Sequence, residues 1–213
     1  MSIIKNSLKK TFLYPLYIKG IESSTWQKEK ERLNELRGPV MAKYLPKGGI
    51  GAELGVYKGH FSRTLLERTQ PKQLHLIDPW YFLEPKWQWS PGNQSTLDAL
   101  CHVLQTNKKE IDEQVIFVHV QDDIIILNQF PDQHFDWAYI DSTHAYEQTV
   151  AELELLHKKV KSSGIICGDD WRPDSTHKHH GVYLAVVEFM EKYNYELLYA
   201  SEENLQWFIK LKK

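Results

Sequence analysis

The chain has 213 residues, 25% of them charged and 42% apolar, and its 26 basic and 28 acidic side chains sum to −2. A chain of this length buries roughly 70% of its unfolded surface, so it needs neither disulfides nor a structural metal to fold, and its two cysteines, Cys101 and Cys167, fit a reducing compartment. No apolar run reaches the ~20 residues that span a bilayer, and the N-terminus has lysines inside its apolar stretch and no small-residue cleavage site. A near-zero charge also lacks the basic field that releases counterions from phosphates, so a cytoplasmic protein with no nucleic-acid partner is expected.

The total conceals an asymmetry. Residues 1–47 hold ten Lys or Arg and four Glu, or +6, which leaves 16 basic and 24 acidic side chains, or −8, for residues 48–213. The sequence therefore divides into an N-terminal basic helical arm, 1–47, and one domain, 48–213. In the arm, Ile3, Ile4, Leu8, Phe12, Leu13, Leu16, Tyr17 and Ile18 interleave with Lys5, Lys9, Lys10 and Lys19. Such a segment either packs on the domain or lies in a membrane interface, and Pro15 breaks a continuous helix. Residues 24–37 open with Ser and Thr caps and carry Glu/Lys pairs at helical spacing, which predicts a solvated surface helix.

From Gly48 onward strands and helices alternate. Apolar runs at Ile50–Leu54 and Leu74–Ile77 flank a helical stretch His60–Arg68, a strand–helix–strand crossover. An irregular aromatic segment, Pro79–Gly92, precedes a helix over Thr96–Gln105 and a β-branched strand, Val115–Val120. Phe135–Ile140 is the fourth strand. A helix from Glu147 to Val160 is expected to stop at Gly164 after Lys158, Lys159 and Lys161. Gly164–Cys167 follows as a strand, Tyr183–Tyr193 as a helix, and Tyr195–Tyr199 with Gln206–Leu211 as an antiparallel pair. The expected fold class is α/β: a doubly wound, Rossmann-like, mostly parallel sheet of seven strands with an antiparallel C-terminal strand.

Ligands of such sheets lie outside the carboxyl ends of the strands. The first strand ends in Glu53-Leu54-Gly55-Val56-Tyr57-Lys58-Gly59, a turn at the entry to a helix. Tyr57 stands where a dinucleotide fingerprint has its second close glycine, and no Walker pattern is present. Glu53 favours a ligand with amine or hydroxyl donors over one with phosphates. The second strand ends in Asp78, 78 − 53 = 25 residues after Glu53, where nucleoside-binding sheets use an acid to accept from ribose hydroxyls, although an Asp before Pro79 also initiates turns. The third runs into Gln121-Asp122-Asp123, either a contact for an adenine edge or a solvated turn. The fourth ends in Asp141-Ser142-Thr143-His144 and the fifth in Gly168-Asp169-Asp170-Trp171. Adjacent strands would bring Asp141, Asp169 and Asp170 together, an oxygen-only set suited to Mg²⁺. His144, on the same loop, is a candidate base for a hydroxyl. The cluster His177, Lys178, His179, His180 lacks the spacing of paired ligands on one rigid element and reads as a loop bordering the pocket.

With these residues in view, the segments GAELGVYKGHFSRTLL, LHLIDPW and FDWAYIDSTHAYEQTVAELELLHKKVKSSGIICGDDW resemble the class I S-adenosylmethionine-dependent methyltransferases. Within that class they resemble the metal-assisted small-molecule O-methyltransferases related to catechol, macrolide-sugar and cephalosporin-cluster enzymes. The resemblance covers most of Gly51–Trp171. It implies that Glu53 and the loop Gly55, Tyr57, Gly59 face the methionine part of S-adenosyl-L-methionine. It further implies that Asp78, with Trp80 beside it, holds the ribose, that Asp122 flanks adenine, and that Asp141 borders the cofactor. Mg²⁺ at Asp141, Asp169 and Asp170 and proton abstraction by His144 are likewise implied. Two departures stand out: catechol-type enzymes have Asn at the position of Asp170 and Lys at that of His144. The aromatic segment Trp80, Tyr81, Phe82, Trp87, Trp89 suits an apolar or sugar surface or a packed lid.

The expected reaction is methylation of a hydroxyl on a small molecule, sugar or glycan, the first 47 residues being left for acceptor choice, membrane contact or homodimer formation. The rivals are a metal-independent O- or N-methyltransferase and a non-catalytic cofactor-binding module. A hydroxylase is disfavoured, because no His/carboxylate iron triad is legible.

Overall fold

A computed structural model describes residue 28 and residues 32–80 and 94–212. The apolar positions of the N-terminal arm and the aromatic residues Tyr81, Phe82, Trp87 and Trp89 lie outside the described residues. The chain divides into two compact units, Met1–Arg37 and Gly38–Lys213.

Residues 32–44 are helical (α1). Leu33, Arg37 and Met41, spaced four apart, are buried, so this helix has one buried stripe, two apolar residues and an arginine, where its charge pairs alone predict a fully solvated helix. The succeeding elements are β1 (Ile50–Leu54), α2 (His60–Thr69), β2 (Gln73–Asp78), α3 (Gln94–Thr106), α4 (Lys108–Asp112), β3 (Ile116–Val120) and α5 (Asp123–Gln129). They continue with β4 (Phe135–Ile140), α6 (Tyr146–Lys159), β5 (Val160–Gly168), α7 (His180–Tyr193), β6 (Tyr195–Ala200) and β7 (Trp207–Leu211). The strands form one sheet in the order β3-β2-β1-β4-β5-β7-β6. Strands β1 to β5 pair in parallel, and β7 runs antiparallel to both β5 and β6.

The central strands β1, β2 and β4 are buried on both faces, which is why they read as nearly continuous apolar runs. Alternate residues serve opposite layers. Ala52, Leu54, Ile77, Ala138, Ile140 and Ile166 pack with Leu153 and Leu156 of α6 and Val186 and Phe189 of α7. Leu74, Leu76, Trp137, Tyr139 and Cys167 pack on the other side with Phe61 and Leu65 of α2, Val103 of α3 and Met41.

One expected boundary differs in the structure, and two short helices are additional to the expected elements. Helix α6 ends at Lys159, not at Gly164, because the extended, β-branched Val160 already begins β5. Gly164 sits within that strand, where the register against β4 shifts; a β-carbon there would lie 2.7 Å from the carbonyl oxygen of Asp136. The two short helices α4 and α5 escape notice in the sequence, and α5 occupies the apolar run Ile124–Leu127, which has no helical alternation.

The chain goes outward from β1 to β2 and β3, then returns to build β4 and β5 on the other side of β1. The switch point lies between β1 and β4, where doubly wound sheets bind their ligands.

Candidate active site

The loops after β1 and β4 meet at this switch point. Backbone bonds extend the parallel ladders past the strands: Gly55 N–H donates to Ile77 O at 2.9 Å, Asp141 N–H to Leu54 O at 2.8 Å, and Asp169 N–H to Ile140 O at 2.9 Å. Gly55 adopts φ 85°, and a β-carbon on it would stand 2.1 Å from the carbonyl oxygen of Asp141. Only glycine allows the two loops to approach this closely. Gly59, at φ 71°, caps α2 and faces Val103.

Asp78 is buried, and its carboxylate organises the loop. Its Oδ2 accepts from the amides of Val56 and Tyr57, each at 2.8 Å, and its Oδ1 accepts from Trp80 N–H at 2.7 Å. Trp80 is fully buried and donates its indole N–H to Tyr57 O at 2.9 Å. Tyr57 and Trp80 both take left-handed backbone conformations, φ 48° and 44°. Asp78, Tyr57 and Trp80 therefore form one clamp on the Gly55 turn. Asp122 ends the β3 loop as the N-cap of α5, its carboxylate accepting from Ile124 N–H at 3.0 Å and Ile125 N–H at 3.3 Å.

Four carboxylates follow the carboxyl edge of the sheet. Burial pushes the Asp78 carboxyl up, with the charge of Asp123 adding to it. Burial likewise pushes Glu53 well above the usual carboxylate range, and Asp141 and Asp78 contribute in the same sense. Glu53 Oε2 is buried without a hydrogen-bond partner among the described residues. A buried acceptor in a row of like charges favours a ligand that brings donors and positive charge. The amine and sulfonium of S-adenosylmethionine fit that requirement.

Asp123, which the sequence offers as part of an adenine contact or a solvated turn, is buried, and its neighbour Glu152 is not singled out by the sequence. Glu152 lies inside α6, accepts from Ser142 Oγ at 2.5 Å, and has its carboxyl pushed well up by burial and by Asp123. It fixes the loop that carries Asp141.

Asp141, Asp169 and Asp170 are not gathered into one ligand group among the described residues. Asp169 Oδ1 accepts from Gln206 Nε2 at 3.0 Å, which turns it toward the β7 side. The group that does assemble is His144, Asp170 and His179, with one ligand atom of each within 4.8 Å of the others. Two imidazoles in place of carboxylates do not fit Mg²⁺, which takes oxygen ligands. The loop His177–His180 is thus more than a border to the pocket, because one of its histidines enters the site.

Asp170 is buried, with φ 62°, and its Oδ2 lies 2.9 Å from His144 Nδ1 and 2.7 Å from His179 Nδ1. An ionised carboxylate only accepts, so both rings donate their Nδ1 protons to it. The rings stack with centroids 4.5 Å apart and planes 15° from parallel. Burial opposes charge on His144, but the bond to Asp170 and the charges of Asp141, Asp170 and Asp169 outweigh it and raise its pKa. Burial lowers that of His179. Burial is the largest single influence on Asp170 and works against its charged form, yet the hydrogen bonds and charges of His144 and His179 together outweigh it and hold the carboxyl well below its ordinary value. His144 therefore keeps its donor on Nδ1 and turns Nε2 toward Asp141 Oδ1, 4.0 Å away.

A family model described as "Methyltransferase domain" matches residues 52–171. Among solved structures, a Streptococcus mutans protein in complex with SAH aligns over 82% of this chain and 94% of its own, with TM-score 0.55 and 10% identity. The Methanobacterium thermoautotrophicum precorrin 8W decarboxylase aligns over 82% and 88%, with TM-score 0.54 and 14% identity. The B. subtilis tRNA methyltransferase TrmK aligns over 83% and 66%, with TM-score 0.53 and 12% identity. Likenesses this remote establish the fold alone. No curated protein matches the chain.

Proposed function

Because this chain belongs to the methyltransferase-domain family, we propose that it transfers a methyl group from S-adenosylmethionine to a hydroxyl oxygen of a small molecule or sugar. The observation that carries this reading is the Asp170–His144 pair, whose histidine stands on the loop that packs against Gly55 while Asp170 reaches it from the end of β5. When bound, S-adenosylmethionine supplies a methyl group on a positive sulfonium, already a strong donor. The protein's remaining work is positioning, exclusion of water and removal of one proton.

Glu53 and the Gly55 turn orient the amino acid end of the cofactor. Asp78 holds that turn through Val56 and Tyr57 and has acceptor capacity left on the side away from them. In its neutral form His144 takes the hydroxyl proton on Nε2 while Asp170 fixes its Nδ1–H, a division of labour that makes the ring a stronger base. The charge of −8 over residues 48–213 weighs against a polyanionic acceptor such as the tRNA of TrmK, since neutralised phosphates drive that binding. A neutral hydroxyl compound meets no such penalty.

The test measures transfer of labelled methyl groups to sugars, phenols and tRNA. His144→Ala is expected to lower turnover by about 10²- to 10⁴-fold, the range for a lost general base, with S-adenosylmethionine affinity kept. Unchanged turnover in that variant, or methylation of tRNA alone, would overturn the reading.

A further inference from the structure

The potential ligand atoms that gather among the described residues are two nitrogens and one oxygen, from His144, His179 and Asp170. From this we propose that His144, Asp170 and His179 bind a divalent ion of the zinc type. The inference stands on the geometry of these three residues and does not require methyl transfer.

The three ligands come from separate, well-anchored segments. His144 lies on the loop between β4 and α6, Asp170 follows β5, and His179 is the residue before α7. Gly181, in the first turn of α7, lets the two helix starts approach: a β-carbon there would stand 3.1 Å from both the nitrogen and the β-carbon of Tyr146. That contact seats His179 against His144 in the observed stack.

The donor set has the character of an open zinc site. Imidazole nitrogen suits Zn²⁺ and its neighbours Fe²⁺, Ni²⁺ and Cu²⁺, and three protein ligands leave a fourth position for water or a solute. Bonds of about 2.0–2.2 Å in tetrahedral array put neighbouring ligand atoms roughly 3.3 Å apart. The observed separations of 2.9 and 2.7 Å need to open by about half an ångström, and one ring has to turn out of the stack so that the ion lies in the plane of both imidazoles. When the ion takes Nδ1, the single proton of a neutral ring moves to Nε2, and a doubly protonated ring releases its Nδ1 proton to solvent. Asp141, 4.0 Å from His144 Nε2, then faces an N–H, the carboxylate–histidine–metal relation that orients ligating imidazoles. Arg172, whose Nε lies 3.6 Å from Asp170 Oδ1, offsets the surplus acidity.

Occupancy has a consequence for His144. A ring that binds an ion through Nδ1 holds its proton on Nε2 and cannot accept another. The ion and the base thus use the same imidazole in exclusive ways.

The test titrates the chelator-treated full chain with Zn²⁺ and Mg²⁺ by calorimetry, and with Co²⁺ by its visible ligand-field absorption. One Zn²⁺ per chain is expected, at micromolar affinity or tighter and at least 100-fold tighter than Mg²⁺. His179→Ala and His179→Gln should each weaken Zn²⁺ by at least tenfold and alter the Co²⁺ spectrum, with melting temperatures confirming folded protein. Mg²⁺ binding as tight as Zn²⁺, or full Zn²⁺ affinity in both His179 variants, would overturn the site. Binding of S-adenosylmethionine, measured on the same samples, decides the transferase reading separately.

Discussion

A β-carbon at Gly55 would meet the Asp141 carbonyl oxygen at 2.1 Å in a backbone conformation that L residues rarely adopt. Gly48 shares the conformation, φ 72°, but has nothing within 4 Å of a β-carbon. The two positions separate backbone strain from crowding. Gly48→Ala should cost the left-handed penalty alone, about 1–2 kcal/mol. Gly55→Ala carries that penalty and also displaces the Asp141 loop, so a loss of at least about 3 kcal/mol is expected, together with weakened cofactor binding. Urea unfolding of the pair measures the difference; equal midpoints would show that Gly55 is kept for flexibility and not for close approach. Other single residues serve two ends at once. Asp78 reads in the sequence as a ribose acceptor or a turn initiator, and its bonds to Val56, Tyr57 and Trp80 show the turn-forming role directly.

At the scale of elements, the central parallel strands were the most legible part because burial on both faces makes their sequences continuously apolar. β1 and β4 have the boundaries that their apolar runs predict. Helix α5 was hidden by the opposite effect: Ile124–Leu127 has no polar face, and only the Asp122 cap betrays its start. Gly164 misled because glycine ends helices and also permits bulges, and sequence spacing does not separate the two. His179 was missed because its partners, His144 and Asp170, are 35 and 9 residues away, from 179 − 144 and 179 − 170. Only the adjacency of β4 and β5 with the start of α7 joins them.

A different histidine group, between strands, governs acid stability. His75 of β2 lies 2.9 Å from His119 of β3, stacks on Phe117 and is edge-on to Phe130. Burial, with the charges of His119 and His134 adding to it, lowers its pKa to about 4. The unfolded chain, near 6.5, therefore binds the proton first, and stability falls as pH drops from about 6.5 to about 4. The full contribution is about 3 kcal/mol. In urea unfolding between pH 7 and pH 4.5, His75→Phe should lose less stability than the parent chain. Parallel losses in the two proteins would show that this ring is not the titrating group.

Over the whole molecule, the −2 of the sequence resolves into a basic first 47 residues and an acidic remainder. Part of that acidity stands in the row Asp123, Asp78, Glu53 and Asp141 along one edge of the sheet. Like charges so placed oppose folding until a cation arrives, so the cofactor should stabilise the entire sheet and not only its own loop. Ligand at 100 times its dissociation constant adds about 2.7 kcal/mol. For a chain of this size that raises the melting temperature by about 5–11 °C, at roughly 2–4 °C per kcal/mol. S-adenosylmethionine carries the sulfonium charge and S-adenosylhomocysteine does not, so at equal concentrations the methylated form should give the larger shift. Glu53→Gln removes one carboxylate from the row and should narrow the gap between the two ligands. A melting temperature that neither ligand moves would remove the cofactor from the site; equal shifts in the parent chain would show that the row is balanced by groups of the protein itself.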